Sequence, residues 1–334
     1  MEAPACLELY KKQMKKYSFF LKLTLLCIIF YWIFKSVNVK ATISVLEKTN
    51  IVYFFIAFIL TNTSNFFLTI KWQRLATPLK IKSDFLELLK LNYISIFYSS
   101  FLPGQSSGEL IKGLKLAKKE NSNQKVWIPI FIDKITNLLM VLIIGFIAVL
   151  SDKTFRTNKT LIFTVSLLTI SFSIITLILF SDNTRQFINF LRAKLIKSLK
   201  FLKLETTQLE KFSLTYLENY KQHSLLMFET LIWSMLIKLP HVFAFYFLAL
   251  SLNINLSVIQ CAWLFSIVSL VTLLPISFSG LGVRESTLIV ILSKIGIERF
   301  NSLSLSILIF LTVILIAVIG GIAELFSEIK TKNE

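Results

Sequence analysis

The chain has 334 residues, 55% of them hydrophobic and only 16% charged, with a mean hydropathy of +0.71. A soluble domain carries about 25% charged residues. Here the apolar residues come in long blocks, which defines an all-α polytopic membrane protein. The net charge of +17 is read first as the basic bias of loops on one side of a membrane, with attraction to anionic headgroups as the competing use. Nucleic-acid binding is disfavoured, since no soluble basic domain is there to carry it.

Residues 1–18 are polar and basic, with Lys11, Lys12, Lys15 and Lys16. The apolar run 19–34 lacks a small-x-small cleavage site and reads as a signal anchor with a cytoplasmic N-terminus. A second span at 51–70 is closed by Lys71-Trp72-Gln73-Arg74, a cluster suited to the cytoplasmic interface, with Trp72 as anchor. Residues 71–90 then read as an amphipathic helix along that interface. The run 88–102 is too short, at about 1.5 Å per residue, to cross a ~30 Å hydrocarbon core. Because Lys112, Lys115, Lys118, Lys119 and Lys125 follow it, residues 88–112 read as a hairpin re-entering from the cytoplasm. A full crossing would place the basic segment 181–222 outside.

Spans follow at 126–150 and 161–180, then the basic amphipathic linker 181–222. A span at 225–250 is interrupted by Lys238-Leu239-Pro240-His241. Runs at 258–274 and 286–297 flank a second break, and the last span is 302–326. Lys330 and Lys332 put the C-terminus in the cytoplasm. The expected architecture is about seven spanning helices plus two re-entrant or broken segments. They form one integral domain, 19–326, between the N-terminal segment 1–18 and a tail, 327–334. Its halves, 19–180 and 223–326, flank the linker, in a bacterial-type inner (plasma) membrane.

The two breaks echo each other. Leu102-Pro103-Gly104-Gln105-Ser106-Ser107-Gly108 is followed by Lys112, and Leu274-Pro275-Ile276-Ser277-Phe278-Ser279-Gly280 by Arg284. Both read Leu-Pro-x-x-x-Ser-Gly-x-x-x-(Lys/Arg), 172 residues apart. Two tips entering from opposite faces form an inverted repeat of the kind transporters use. Proline and glycine open the backbone, serines add hydroxyl donors, and the cation adds charge. Such a broken helix suits an anion, because its N-terminal amides point at the ligand. Packing at small residues with snorkelling cations is the rival reading.

The string around Leu102-Pro103-Gly104 and Gly108-Glu109, the Asp133-Lys134 pair, and Pro275-Ile276-Ser277 through Gly280-Leu281-Gly282-Val283-Arg284-Glu285 resembles the lysylphosphatidylglycerol synthase transmembrane region. This flippase-like family is also called uncharacterised membrane protein family 0104. The resemblance covers nearly the whole chain from the second span onward, and the Pro-Ile-Ser-x-x-Gly-Leu-Gly-x-Arg-Glu string is its most specific part. Full-length synthases add a cytoplasmic aminoacyltransferase domain; with the last span read at 302–326 and only a short tail after it, no such domain is expected, and the resemblance implies lipid flipping without lysyl transfer. Some stand-alone relatives are linked to polyprenol-linked sugars, hopanoids or cell-surface polysaccharides. Lys134 departs from the arginine common at its position, keeping charge but losing the bidentate fork.

The expected function is movement of an anionic phospholipid or polyprenyl-linked lipid between leaflets. The expected binding residues are Pro103, Gly104, Ser106, Ser107, Gly108, Glu109, Lys112, Asp133, Asn137, Pro275, Ser277, Ser279, Gly280, Gly282, Arg284 and Glu285. Asp133, about 10 Å into its span at 1.5 Å per residue, is expected to pair with Arg284 or Lys112 or to carry a coupling proton. Lys238 either lines the same cavity or snorkels, and Glu324 is read as interfacial. The alternatives are a membrane-embedded transferase using Glu109 or Asp133, or a non-catalytic partner of a separate glycosyltransferase or lipid synthase. No Gly-x-Ser-x-Gly elbow, His-Glu-x-x-His or GxxxxGK loop occurs, so no catalytic residue is assigned. Three scattered cysteines and two histidines give no metal spacing and no cofactor is expected.

Overall fold

The computed structural model describes residues 39–102, 106–120, 123–152, 159–180, 224–273 and 279–333. The expected span 19–34, the linker 181–222, and Pro103, Gly104, Pro275 and Ser277 lie outside them. The described residues are helical, with no strand among them.

A short helix α1 (Val39–Glu47) precedes α2 (Ile51–Ala76), which Asn50 caps by accepting the Val52 N–H at 3.0 Å. Pro78 tightens the chain into a 3-10 turn, Thr77–Leu79, closed by Lys80 in the left-handed region. Then come α3 (Phe85–Phe101), α4 (Ser107–Glu120), α5 (Asn123–Ser151) and α6 (Lys159–Phe180). The second half holds α7 (Ser224–Ser251), α8 (Val258–Thr272), α9 (Val283–Lys294) and α10 (Arg299–Asn333). A reciprocal Ser257–Gln260 capping box starts α8.

Four stretches among the described residues are long and apolar enough to cross a membrane: Ile51–Leu79, Lys125–Ser151, Phe228–Ser251 and Arg299–Phe326. Helix α6 has 22 residues, apolar almost throughout, and α8 has 15. Of the expected seven spans, 19–34 lies outside the described residues. Two expectations change. Residues 71–76 continue α2 instead of starting an interfacial helix, and α7 runs through Pro240 without a break. In α7 the proline frees only the Leu236 carbonyl, too small a loss to end a 28-residue helix.

The outward faces are apolar and the inward ones partly polar. Phe55, Ile59 and Phe66 of α2, Phe163 and Leu177 of α6, and Leu315, Val318 and Ile322 of α10 are exposed, whereas Lys71, Asn92, Lys112, Asp133 and Arg284 are buried. That reverses the soluble arrangement and suits a lipid solvent. One core gathers Phe54, Phe245, Leu248, Trp263, Leu264 and Leu305. A second joins Trp72, Leu75, Leu88, Leu116 and Ile132, clamping the α3–α4 hairpin to α2 and α5.

The two halves are interleaved. Helices α2 and α7 run antiparallel: Tyr53 meets Phe247 at 6.0 Å, Phe67 meets Trp233 at 6.1 Å, and Asn50 N–H donates to the Ser251 carbonyl. The other cross-pairings are α3 with α10 and α5 with α8. Each close approach uses a glycine, Gly320 against Tyr93 and Gly145 against Ser266.

Candidate functional site: a polar cavity between the halves

A cavity of about 410 Å³ opens among α2, α3, α4, α5, α7, α8, the start of α9 and α10. Six of the expected residues line it: Glu109, Lys112, Asp133, Asn137, Ser279 and Arg284. The cations of the two sequence echoes thus face one space, although 172 positions separate them.

Asp133 pairs with Lys71 at 2.6 Å, not with Arg284 or Lys112. Lys71 is fully buried and also donates to Thr136 Oγ1 at 2.8 Å and Asn137 Oδ1 at 3.3 Å. Asn137 Nδ2 completes the cluster by donating to Asp133 Oδ1 at 3.0 Å. Positions 133, 136 and 137 share one face of α5, so a single lysine reaches all three.

Lys112 is 3% exposed. Its ammonium donates to Asn92 Oδ1 at 2.6 Å and sits 3.5 Å from the centre of the Trp72 ring. Asn92 in turn donates to Thr69, and Thr69 to the Asn65 carbonyl. Trp72 is therefore a buried platform and not an interfacial anchor: it is 2% exposed, because α2 extends past the expected interface and turns it into the core.

Lys134 bridges Ser106 Oγ at 2.9 Å and Glu109 at 3.0 Å, joining α5 to the first break. The second break is closed internally. Arg284 pairs with Glu285 at 2.7 Å and donates to Ser306 Oγ at 2.9 Å, and Ser306 donates back to Glu285. The other Glu285 oxygen accepts the Gly282 N–H. Glu285 is thus a cap and counter-charge, and does not line the cavity among the described residues. Gly280 and Gly282, at φ 77° and 80°, make the turn, and Ser279 shares the left-handed region at φ 50°.

The first hairpin is equally tight. Gly108 N–H donates to Ser99 Oγ at 3.1 Å, and a Cβ at Gly108 would collide with the Ser95 carbonyl. Ser107 buries a hydroxyl with no hydrogen-bond partner among the described residues. The amides of Gly108 and Gly282, expected to face a ligand, already serve the fold. Glu324, expected at the interface, is 7% exposed, because it accepts from Tyr98 at 2.9 Å and pairs with Lys115.

Sequence reasoning missed Lys71, Asn92 and Asn65. The available signal was the run of polar residues on α2, Thr61, Ser64, Asn65, Thr69 and Lys71, which is dense for a lipid-facing helix. Lys238 lines the cavity from α7, as does His241, whose Nδ1 lies 2.8 Å from the Ile237 carbonyl.

Apolar belts outside and a charged, hydrogen-bonded cavity inside define a multi-pass α-helical membrane protein with a polar chamber. The chain belongs to the lysylphosphatidylglycerol synthase TM region family, whose model matches residues 19–321. It is similar to UPF0104 membrane protein PH1989 of Pyrococcus horikoshii, with 23% identity over 316 residues that cover 88% of this chain and 92% of the relative. No solved structure matches it significantly.

Proposed function

We propose that this protein moves an anionic phospholipid or lipid-linked glycan between the leaflets of a bacterial-type inner membrane, with the headgroup passing through the cavity. The observation that carries the reading is the convergence of Lys112 and Arg284, one from each sequence echo, on one chamber. A headgroup leaving water needs donors to replace its hydration and cations to offset its charge. The cavity supplies both within a volume of about 410 Å³, which falls in the range of ligand sites.

The proposed frame is an inverted repeat, α2–α5 and α7–α10, with α6 and the linker between. It is supported by the antiparallel α2–α7 pairing and by the reciprocal α3–α10 and α5–α8 contacts. In this frame both termini are cytoplasmic, and the two breaks approach from opposite faces.

The test is leaflet exchange in liposomes, with a fluorescent anionic lipid quenched by dithionite. Wild-type protein should expose inner-leaflet dye. Lys112→Met, which keeps the stem against Trp72 but removes the charge, should slow exchange about tenfold, equivalent to about 1.4 kcal/mol. Equal exchange in wild-type and protein-free vesicles would remove phospholipid movement without an energy source. Undiminished exchange by Lys112→Met would remove the cation's role.

A further inference from the structure

The cavity's charges can be paired off one by one. Lys71 is matched by Asp133, Lys134 by Glu109, and Arg284 by Glu285. Two cations on the cavity wall remain, Lys112 and Lys238. Lys112 is held by an amide oxygen and an aromatic face, neither of which neutralises it. Lys238 has no hydrogen bond or carboxylate within ion-pair distance among the described residues. A third group is also unspent. Asn65 lines the cavity at 6% exposure, and its Nδ2 is buried with no acceptor among the described residues. Two uncompensated cations and an idle amide donor, walled by apolar helices, form a site whose charge is balanced only when occupied.

A phosphodiester headgroup brings one negative charge, while a phosphate monoester carries about −1.5 to −2 at neutral pH and a diphosphate at least as much. We infer that the cavity is built for a doubly charged phosphate, a monoester or a diphosphate, with Lys112 and Lys238 as its counter-charges and Asn65 as a donor. The inference rests on the anionic-lipid reading above and narrows it, away from ordinary phosphodiester lipids. It also moves the anion contact from Arg284, which Glu285 and Ser306 already hold, to the wall formed by α4 and α7.

The test is isothermal titration calorimetry on the full-length protein in non-ionic micelles, with three probes: dihexanoyl phosphatidate, dihexanoyl phosphatidylglycerol and inorganic phosphate. The monoester lipid should bind about tenfold tighter than the diester, as expected when a second charge finds a low-dielectric partner. Lys238→Gln should abolish that preference and Lys238→Arg should keep it. The arginine variant also guards against misreading a folding defect as a binding defect.

Equal affinity for the two lipids overturns the double-charge inference and leaves anionic-lipid binding standing. Binding of none of the three probes by folded protein overturns both readings. An unchanged preference in Lys238→Gln overturns the assignment of that lysine. Inorganic phosphate binding as tightly as phosphatidate upholds the doubly charged seat and assigns it to a soluble phosphate instead of a lipid.

Discussion

Lys71 and Asp133 form the most deeply buried ion pair joining two helices of the cavity wall, and the two partners behave differently from a surface pair. Removing one member of a buried pair strands the other and costs about 3–5 kcal/mol, whereas an exposed pair contributes about 0–1 kcal/mol. Asp133→Asn should therefore lower the melting temperature in detergent far more than Glu109→Gln, whose pair with Lys134 is about a third exposed on each side. A Lys71→Met, Asp133→Leu double variant should recover much of the loss, because no charge is left stranded. Asp133 was legible in the sequence as a carboxylate too deep to be idle. Its partner was not, because Lys71 lies 62 positions away beside a tryptophan and an arginine, and that local pattern is also the pattern of a membrane interface.

At the scale of the helix, glycines set how closely the elements approach. A Cβ at Gly320 would meet the Tyr93 carbonyl, which is backbone and cannot swing aside, while one at Gly321 would meet the Phe97 ring, which can turn. Gly320→Ala should thus cost about 1–3 kcal/mol by overpacking and Gly321→Ala less, read as loss of monodisperse protein on heating. The end of α4 adds a pH-dependent tie. Glu120 accepts from Lys125 Nζ and from the Lys82 N–H, each at 2.9 Å, and so holds the 80–84 loop to the α4–α5 junction. The Lys125 hydrogen bond, with Lys82 and nearby charges assisting, holds the Glu120 carboxyl below its ordinary value. A lowered carboxylate stabilises the fold above its unfolded value, and that contribution is lost as pH falls through the lower folded one. Amide-exchange protection at Lys82 should therefore persist through mildly acidic pH and fall only below the ordinary glutamate range, and Glu120→Ala, which removes the acceptor, should lack it throughout. Helix limits such as 126–150 and 258–274 were legible to within a few residues, because apolar length and the Ser257 cap state them locally. The continuation of α2 past residue 70 was not, because it depends on the polar partners α5 brings to Lys71.

For the whole molecule, the question is how two echoes 172 residues apart come to share one chamber. The sequence shows the echo, but only tertiary contacts show that each half's hairpin packs on the other half's long helix, α3 on α10 and α8 on α5. The glycines at those crossings also correspond: Gly145 lies 42 positions after Pro103 and Gly320 lies 45 after Pro275. Both facts are what the proposed inverted repeat requires, as is the antiparallel α2–α7 seam. If its two-fold axis lies in the membrane plane, the two breaks face opposite sides. Single cysteines at Ser106 and Ser279, with Cys6, Cys27 and Cys261 replaced, read this directly. A membrane-impermeant maleimide should label Ser106→Cys only from the cytoplasmic face and Ser279→Cys only from the other. Labelling of both from one face would remove the inverted relation between the two breaks. The chamber would then open to a single side, and a headgroup could be held there but not passed across.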